Sequence, residues 1–276
     1  VIHASTCYCT LGTPPISQGM PHFLKGAVGV LGLVGLVSAR SASFLQRGDD
    51  PCECLNWQQV YKRNGAPCGV GHELTFVIKT GIIPWLAKLM YGEEICYNFF
   101  HRIDDNSCMN IVHTNEPEEW YSGQWCYVSK ECPGSSQVNG SGVVRTKLCT
   151  PGKDPMLRDK SPQELHRWAM ENNLNIGLAV KMAYPVELEA KWPLVKAFFT
   201  NSSAVALSAV NTSVATKFHS LQESGKPVVL DSDNQRAPFG VMKGRRAYLI
   251  EKDPENIVKG QPMSFTTWKC IHGCDA

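Results

Sequence analysis

The chain has 276 residues, of which 43% are hydrophobic and 19% are charged, and its formal net charge is +2. These values are typical of a globular protein and exclude a disordered tail. They also give no electrostatic preference for nucleic acid or for a membrane surface, so neither is expected as a partner.

The first 43 residues are predicted to be a leader and not part of the fold. From Met20 the chain runs MPHFLKG, AVGVLGLVGLV and SARSAS, which is the order of a secretory signal peptide over residues 20–43. The alternative is a membrane anchor, but the apolar run is shorter than the roughly 20 residues of a spanning helix. Residues 1–19 are expected to be upstream or non-native sequence. The mature protein is therefore expected to lack a membrane span and to be secreted or lumenal.

Ten cysteines follow the leader, and an even number in a secreted chain predicts a disulfide framework. Their pairing is left open by the sequence. They are Cys52, Cys54, Cys68, Cys96, Cys108, Cys126, Cys132, Cys149, Cys270 and Cys274. For the last two, a tie-back onto the first region is favoured over a bond with each other. Sequons at Asn139, Asn201 and Asn211 further predict a glycoprotein.

Residues 44–151 are predicted to form a cysteine-rich domain with few long periodic segments. WQQVYK predicts a short helix with Trp57 and Tyr61 on its buried face. Pro84 divides the next apolar stretch into a strand-like part and a helix-like part. WCYVS and VVRTKLC predict short strands, and Phe99 and Phe100 are assigned to the core.

Residues 152–276 are predicted to form a second, helix-led domain. Ser161-Pro-Gln-Glu164 is a capping box, and NIGLAVKMAYP and VELEAKWPLVKAFF continue the helical signal. A further amphipathic helix is predicted to end at Gly225, and PVVLDSD, RRAYLIEKD and MSFTTWKCI predict three short strands. The predicted fold class is α+β: a disulfide-rich N-terminal region, then a helix-led region with a small β appendage tied back by the C-terminal cysteines.

No segment carries a recognisable catalytic pattern. GxSxG, HExxH and CxxC are all missing from the sequence, so no catalytic residue is assigned. The CxHxC at residues 270–274 and the CxC at residues 52–54 are better explained as disulfide partners, so neither a metal nor a cofactor is expected. The alternative to a non-catalytic protein is a hydrolase with a Cys or Ser nucleophile and a base such as His101 or His113.

An aromatic and acidic segment between Cys96 and Cys132 supplies the candidate binding surface. Such side chains recognise a sugar, a peptide or a basic group, whereas the alternative for Trp125 is packing in the core. The predicted binding residues are Asp104, Asp105, Glu118, Glu119, Trp120, Tyr121, Trp125 and Tyr127.

Cys108-Met-Asn110 followed by Trp125-Cys126-Tyr127 is locally similar to kringle and fibronectin type II modules. This resemblance implies ligand binding through the aromatic and acidic loop.

A longer resemblance spans most of residues 52 to 274. The runs CECLNW, CYNFFHRIDDNSC, WCYVSKEC, LRDKSPQELH, KMAYP and MSFTTWKCIHGC resemble a group of secreted cysteine-rich proteins of dinoflagellate algae. This resemblance implies an origin and a secretory compartment, and it carries over no catalytic residue. Because those algae also send plastid proteins through the secretory route, the plastid is the alternative localisation.

Together these features predict a secreted or endomembrane-lumenal, disulfide-stabilised protein. Its expected role is that of a non-catalytic binding or structural module, with a carbohydrate or a protein as ligand.

Overall fold

The computed structural model describes four ranges of the chain: residues 50–113, 123–200, 211–252 and 266–274. The predicted leader, the sequon at Asn201 and part of the predicted binding segment lie outside the described residues.

Short helical elements open the cysteine-rich region. They are α1 (Trp57–Lys62), α2 (Thr75–Ile78), α3 (Pro84–Gly92), a π-helical turn (Glu93–Tyr97) and a 3-10 turn (Phe100–Arg102).

The predicted helix at WQQVYK is confirmed as α1. Asn56 caps it by accepting a hydrogen bond from the Gln59 N–H at 3.1 Å, and Trp57 and Tyr61 are buried on one face. This cap satisfies one of the N–H groups that the first helical turn leaves unpaired.

The stretch before Pro84 was expected to be a strand, and this prediction is wrong. Residues Thr75–Ile78 form α2, in which the Ile78 N–H donates to the Leu74 carbonyl at 3.0 Å. The backbone of this turn is satisfied locally, so its apolar composition does not require a neighbouring strand. The helix predicted after the proline is confirmed as α3, with Pro84 in its first turn.

A four-stranded antiparallel sheet follows, with the order β1-β2-β4-β3. Its strands are β1 (Met109–Asn110), β2 (Gln124–Ser129), β3 (Ser136–Gln137) and β4 (Val144–Leu148). Strands β2 and β4 confirm the two strands that were predicted in this region.

The helix-led region begins with a 3-10 turn at Leu157–Asp159. Its α-helices are α4 (Pro162–Glu171), α5 (Ile176–Ala183), α6 (Trp192–Val195), α7 (Ala197–Thr200) and α8 (Thr212–Ser224). The predicted capping box is confirmed, because the Ser161 hydroxyl and the Glu164 carboxylate each accept the other residue's N–H. Gly225 ends α8 in the left-handed region, with φ of 64°.

The second sheet has the order β5-β6-β7-β8-β9, with β5 parallel to β6 and the other pairs antiparallel. Its strands are β5 (Val186–Glu187), β6 (Pro227–Leu230), β7 (Phe239–Lys243), β8 (Arg246–Lys252) and β9 (Thr266–His272). Strands β6, β8 and β9 were predicted, whereas β5 and β7 were not. The predicted α+β class is thus confirmed, with a larger sheet than expected.

The predicted disulfide tie-back of the C-terminus is wrong. Cys270 and Cys274 bond to each other, with 6.0 Å between their Cα atoms, and Gly273 lies between them at φ of 64°. Strand β9 is held by its ladder to β8, in which Cys270 is opposite Tyr248. Main-chain pairing, and not a cross-link, therefore anchors this end of the described chain.

The main hydrophobic core takes side chains from both sides of the predicted boundary near residue 151. Phe100 and Trp125 belong to it, as do Leu165 and Tyr248. The assignment of Phe99 and Phe100 to the core is confirmed, since they are 1% and 0% exposed. The boundary between the two domains stays a prediction.

Among the described residues, no helix combines the length and the apolar character needed to cross a bilayer.

Candidate ligand-binding groove

The predicted disulfide framework is confirmed for all ten cysteines of the described residues. The pairs are Cys52–Cys132, Cys54–Cys126, Cys68–Cys96, Cys108–Cys149 and Cys270–Cys274. Each bridge restricts the unfolded chain, which typically stabilises a fold by about 2–4 kcal/mol. The protein is therefore disulfide-stabilised, as extracellular proteins commonly are.

Four of the predicted binding residues lie outside the described residues: Glu118, Glu119, Trp120 and Tyr121. Their role stays a prediction.

Trp125 and Tyr127 require a correction, because both are fully buried and present no face to solvent. Trp125 packs edge-on against Trp57 at 5.0 Å between ring centroids, and Tyr127 packs against Trp125 at the same distance. Such pairs stabilise a core beyond their buried area. The alternative given for Trp125, packing in the core, is therefore confirmed.

Asp104 and Asp105 are committed to contacts within the fold. Asp104 accepts a hydrogen bond from Asn56 Nδ2 at 2.9 Å. The two carboxylate oxygens of Asp105 accept from the Ser107 N–H at 2.8 Å and from the Trp168 indole N–H. This loop thus joins α1 to α4. Both carboxylate oxygens of Asp105 accept from the protein's own donors, whereas Asp104 is exposed and its role in binding stays a prediction.

Two of the sequons can be placed. Asn139 and Asn211 are both exposed, as glycan attachment requires, and Asn211 also caps α8 by accepting the Ser213 N–H at 3.0 Å. Glycosylation at the three sites stays a prediction.

Among the described residues, the Nε2 atoms of the two histidines named for the alternative hydrolase have no hydrogen-bond partner. His101 stacks on Tyr61 with 4.4 Å between centroids, and His113 stacks on Phe76 at 3.9 Å. Within the described ranges neither ring hydrogen-bonds to a serine or to a free thiol. Burial lowers the pKa of His113 to about 3, which leaves its imidazole a weak base at neutral pH. The hydrolase alternative therefore finds no support at these residues.

A buried carboxylate lies at the edge of the aromatic core. Glu73 is 1% exposed and its Oε1 accepts from the hydroxyls of Tyr127 at 2.6 Å and Tyr61 at 3.0 Å, while its Oε2 accepts the Gly71 N–H at 3.0 Å. Burial raises the pKa of Glu73, and the tyrosine hydrogen bonds oppose that shift. The network is fully internal, and it fixes Tyr61 at the edge of the core.

Gly71 is required by the close packing around this network. A Cβ at this position would lie 2.6 Å from the Tyr127 hydroxyl oxygen and 2.8 Å from the Trp125 ring. Both rings are buried, so neither can move aside. Glycine thus allows the backbone to lie directly against the Trp125 and Tyr127 side chains while its N–H donates to Glu73.

Tyr61 also lines a groove, which is the candidate binding site. The groove has a volume of about 640 Å³ and lies between α1, α3, the π-helical turn and the following 3-10 turn. The residues that line it are Tyr61, Ala66, Pro67, Cys68, Trp85, Lys88, Leu89, Gly92, Glu93, Cys96, Tyr97 and His101.

Large apolar side chains are unusually exposed along this groove. Trp85, Leu89 and Tyr97 are 65%, 73% and 63% exposed. Helix α3 also exposes Met90, and Ile83 at its N-cap is 51% exposed. Clusters of exposed apolar side chains mark interaction sites, whereas isolated ones do not. Sequence reasoning missed this site because the apolar run around Pro84 was interpreted only as a strand-like part and a helix-like part, with no prediction of which side chains are exposed.

The π-helical turn shapes the groove by pointing two consecutive residues in opposite directions. Cys96 is buried and bonds to Cys68 beneath the groove, whereas Tyr97 projects into solvent and contacts the His101 ring edge-on at 5.0 Å. Turns of this kind often occur at functional sites. The disulfide ties the π-helical turn to the segment after α1, so the wall that carries Tyr97 is held by a covalent bond.

Glu94, in the same turn, gives a pH-dependent prediction. Burial raises its pKa to about 7, the charge of Arg236 opposes the shift, and its Oε1 has no hydrogen-bond partner among the described residues. The unfolded state ionises near 4.5. Stability contributed by the neutral acid is therefore complete below about pH 4.5 and is lost as the pH rises to about 7.

We expect Glu94→Gln to stabilise the protein by about 1–2 kcal/mol above pH ~7, after allowance for partial exposure, and to have little effect near pH ~4. Urea unfolding at both values measures this difference. Glu93→Gln, at an exposed neighbour, is the control and should show no such pH dependence. Equal effects of Glu94→Gln at the two pH values would contradict the expectation.

No protein-family model, curated protein or solved structure shows a significant match to this chain. Its class is therefore defined by fold and site: a disulfide-stabilised α+β protein with an exposed aromatic groove. The resemblances to dinoflagellate cysteine-rich proteins and to kringle or fibronectin type II modules stay predictions.

Proposed function

We propose that this protein is a secreted or endomembrane-lumenal binding module whose groove holds an apolar segment of a partner protein. The observation that carries the proposal is the exposure of Trp85, Leu89 and Tyr97 along one groove. Five disulfides in the described chain support an oxidising compartment, where such bonds persist.

The composition of the groove favours a protein segment over a carbohydrate. Among the described residues, Lys88 and Glu93 are the only lysine and acidic side chains of the lining, and its exposed surface includes Trp85 and Leu89. Leu89 adds an aliphatic surface that matches the side chains of a peptide. Aromatic residues are enriched in protein interfaces, and the lining supplies them in Trp85 and Tyr97.

The disulfide that lies beneath the groove supports a preformed site. The Cys68–Cys96 bond and the Glu73 hydrogen bond to Tyr61 fix two of its walls before any partner arrives. Rigid walls reduce the entropy that binding would otherwise lose. A partner's apolar segment therefore meets a preformed surface that includes Trp85 and His101.

Selection of a random peptide library against the immobilised protein tests the proposal. We expect enriched peptides to share a Leu, Phe or Trp anchor. For a synthetic fluorescent copy of one such peptide, Trp85→Ala should raise the dissociation constant at least ~10-fold, because aromatic anchors commonly contribute roughly 2 kcal/mol or more.

Leu148→Ala is the matched control, since Leu148 is also 65% exposed but lies on β4, outside the groove lining. It should leave the affinity unchanged. Peptides that bind the wild type and Trp85→Ala equally would exclude the groove as the site. The protein could instead bind glycans or lipid vesicles, or dimerise, and lose that binding in Trp85→Ala. This result would support the groove as the binding site but would overturn a protein segment as its ligand.

A further inference from the structure

Four buried cysteines converge at one place in the fold, apart from the groove. They are Cys54, Cys108, Cys126 and Cys149, here called the four-sulfur cluster, and their Sγ atoms all lie within 4.8 Å of one another. Each is at most 8% exposed. In the present state they form two disulfides, Cys54–Cys126 and Cys108–Cys149.

The distances between the two disulfides match those of a tetrahedral metal site. Cys54 Sγ lies 3.5 Å from Cys108 Sγ and 3.9 Å from Cys149 Sγ. Four thiolates at about 2.3 Å from a zinc ion are about 3.8 Å from one another. The two distances from Cys54 Sγ, between sulfurs that are not bonded to each other, are thus already close to those of a tetrahedral zinc tetrathiolate.

Main-chain hydrogen bonds hold the four positions together independently of the disulfides. The Cys108 N–H donates to the Pro155 carbonyl at 2.8 Å, and the Cys149 N–H donates to the Gln124 carbonyl at 2.9 Å. The Leu55 N–H, next to Cys54, donates to the Tyr127 carbonyl of β2 at 2.8 Å. These bonds do not involve the sulfur atoms, so they can hold the four positions near one another when the disulfides are reduced.

We propose that the four-sulfur cluster is a redox-convertible metal site, which binds one Zn²⁺ as a tetrathiolate once its two disulfides are reduced. With a dithiol as reductant, two disulfides accept four electrons and two dithiols become two disulfides. The four cysteine thiols then lose four protons as they bind Zn²⁺. A small-molecule disulfide reverses the step: two such disulfides accept four electrons and become thiols, while the four cysteine thiolates form two disulfides and free the ion.

This site is consistent with the chemistry of its ligands. Zn²⁺ prefers thiolate, structural zinc sites are closed and tetrahedral, and all four sulfurs are shielded from water. No local sequence pattern indicates this site, because the ligands are spread from Cys54 to Cys149 without a CxxC pair. The inference is independent of the groove and of its ligand.

The test uses the full chain, reduced without oxygen by a water-soluble phosphine and titrated with Co²⁺ and then with Zn²⁺. We expect the strong visible bands of tetrahedral cobalt thiolate to saturate at about one Co²⁺ per chain and to vanish as Zn²⁺ displaces it. Cys54→Ser with Cys108→Ser should abolish the bands. Cys270→Ser with Cys274→Ser, which removes a bridge outside both the cluster and the groove, should retain them.

X-ray absorption at the zinc edge gives a second readout on the wild-type chain, independent of how the variants fold. Four sulfur neighbours support the proposal. Three results would each overturn it. The bands persist unchanged in the variant with Cys54→Ser and Cys108→Ser, the cobalt spectrum is octahedral, or the reduced wild-type protein binds no metal.

Discussion

Replacing Glu73 with alanine is expected to lower the free energy of unfolding by about 3–5 kcal/mol. The carboxylate is 1% exposed and accepts hydrogen bonds from Tyr61, Tyr127 and the Gly71 N–H. Its removal leaves these buried donors without an acceptor, and each unsatisfied group costs roughly 1–3 kcal/mol. The substitution also leaves a cavity beside two aromatic rings. Urea unfolding followed by tryptophan fluorescence measures the loss.

Two controls separate the network from the loss of a side chain in general. Tyr127→Phe removes one hydroxyl and leaves the Tyr61 hydrogen bond, so we expect a smaller loss of about 1–2 kcal/mol. Glu53→Ala, at an exposed position, should change stability by less than about 0.5 kcal/mol. A Glu73→Ala variant no less stable than Tyr127→Phe would show that the carboxylate is not the centre of the network.

The elements with strong local signals were predictable, and those that depend on distant partners were not. The capping box at Ser161 and the glycine that ends α8 act within one turn of helix, so the residues themselves fix the structure. Strand β5 has only two residues, and β7 lies in the middle of its sheet. Each forms a strand by pairing with β6, which is its neighbour in the sheet. Pairing of this kind is decided by tertiary contacts, which no local pattern contains.

The candidate site shows the same limit. The even cysteine number predicted a disulfide framework, yet it did not predict the bond between Cys270 and Cys274, because connectivity depends on which Cα atoms the fold brings together. Burial was equally hard to assign from composition. Trp125 and Trp85 both lie in aromatic segments, but the first is 0% exposed and the second 65%. The neighbours of each ring in space, and not in sequence, determine which one is free to bind.

The second large effect is expected at a buried ion pair in the helix-led region. Lys181 Nζ lies 2.8 Å from Asp231 Oδ2 and also donates to the Gln235 carbonyl at 2.7 Å, and both charged side chains are less than 10% exposed. Burial lowers the pKa of Lys181, and the charge of Asp231 opposes that shift. Removing Asp231 leaves a buried cation without its partner, so we expect Asp231→Ala to cost about 3–5 kcal/mol.

The pH dependence distinguishes this cause from a simple loss of packing. Without Asp231 the pKa of Lys181 in the folded state falls further below its ordinary value of 10.5. The folded variant then binds fewer protons than the unfolded chain, so its stability rises with pH, and the loss caused by Asp231→Ala should shrink as the pH approaches about 10.

Asp233→Ala is the matched control, because Asp233 lies on the same loop as Asp231 but its side chain is 77% exposed. The substitution breaks its ion pair with Lys191. It should cost about 0–1 kcal/mol. The double change Lys181→Met with Asp231→Leu removes both charges together and should recover most of the stability lost in Asp231→Ala, since apolar pairs often replace buried ion pairs without loss. If the double variant is as unstable as Asp231→Ala, the loss comes from packing around Asp231 and not from the isolated charge of Lys181.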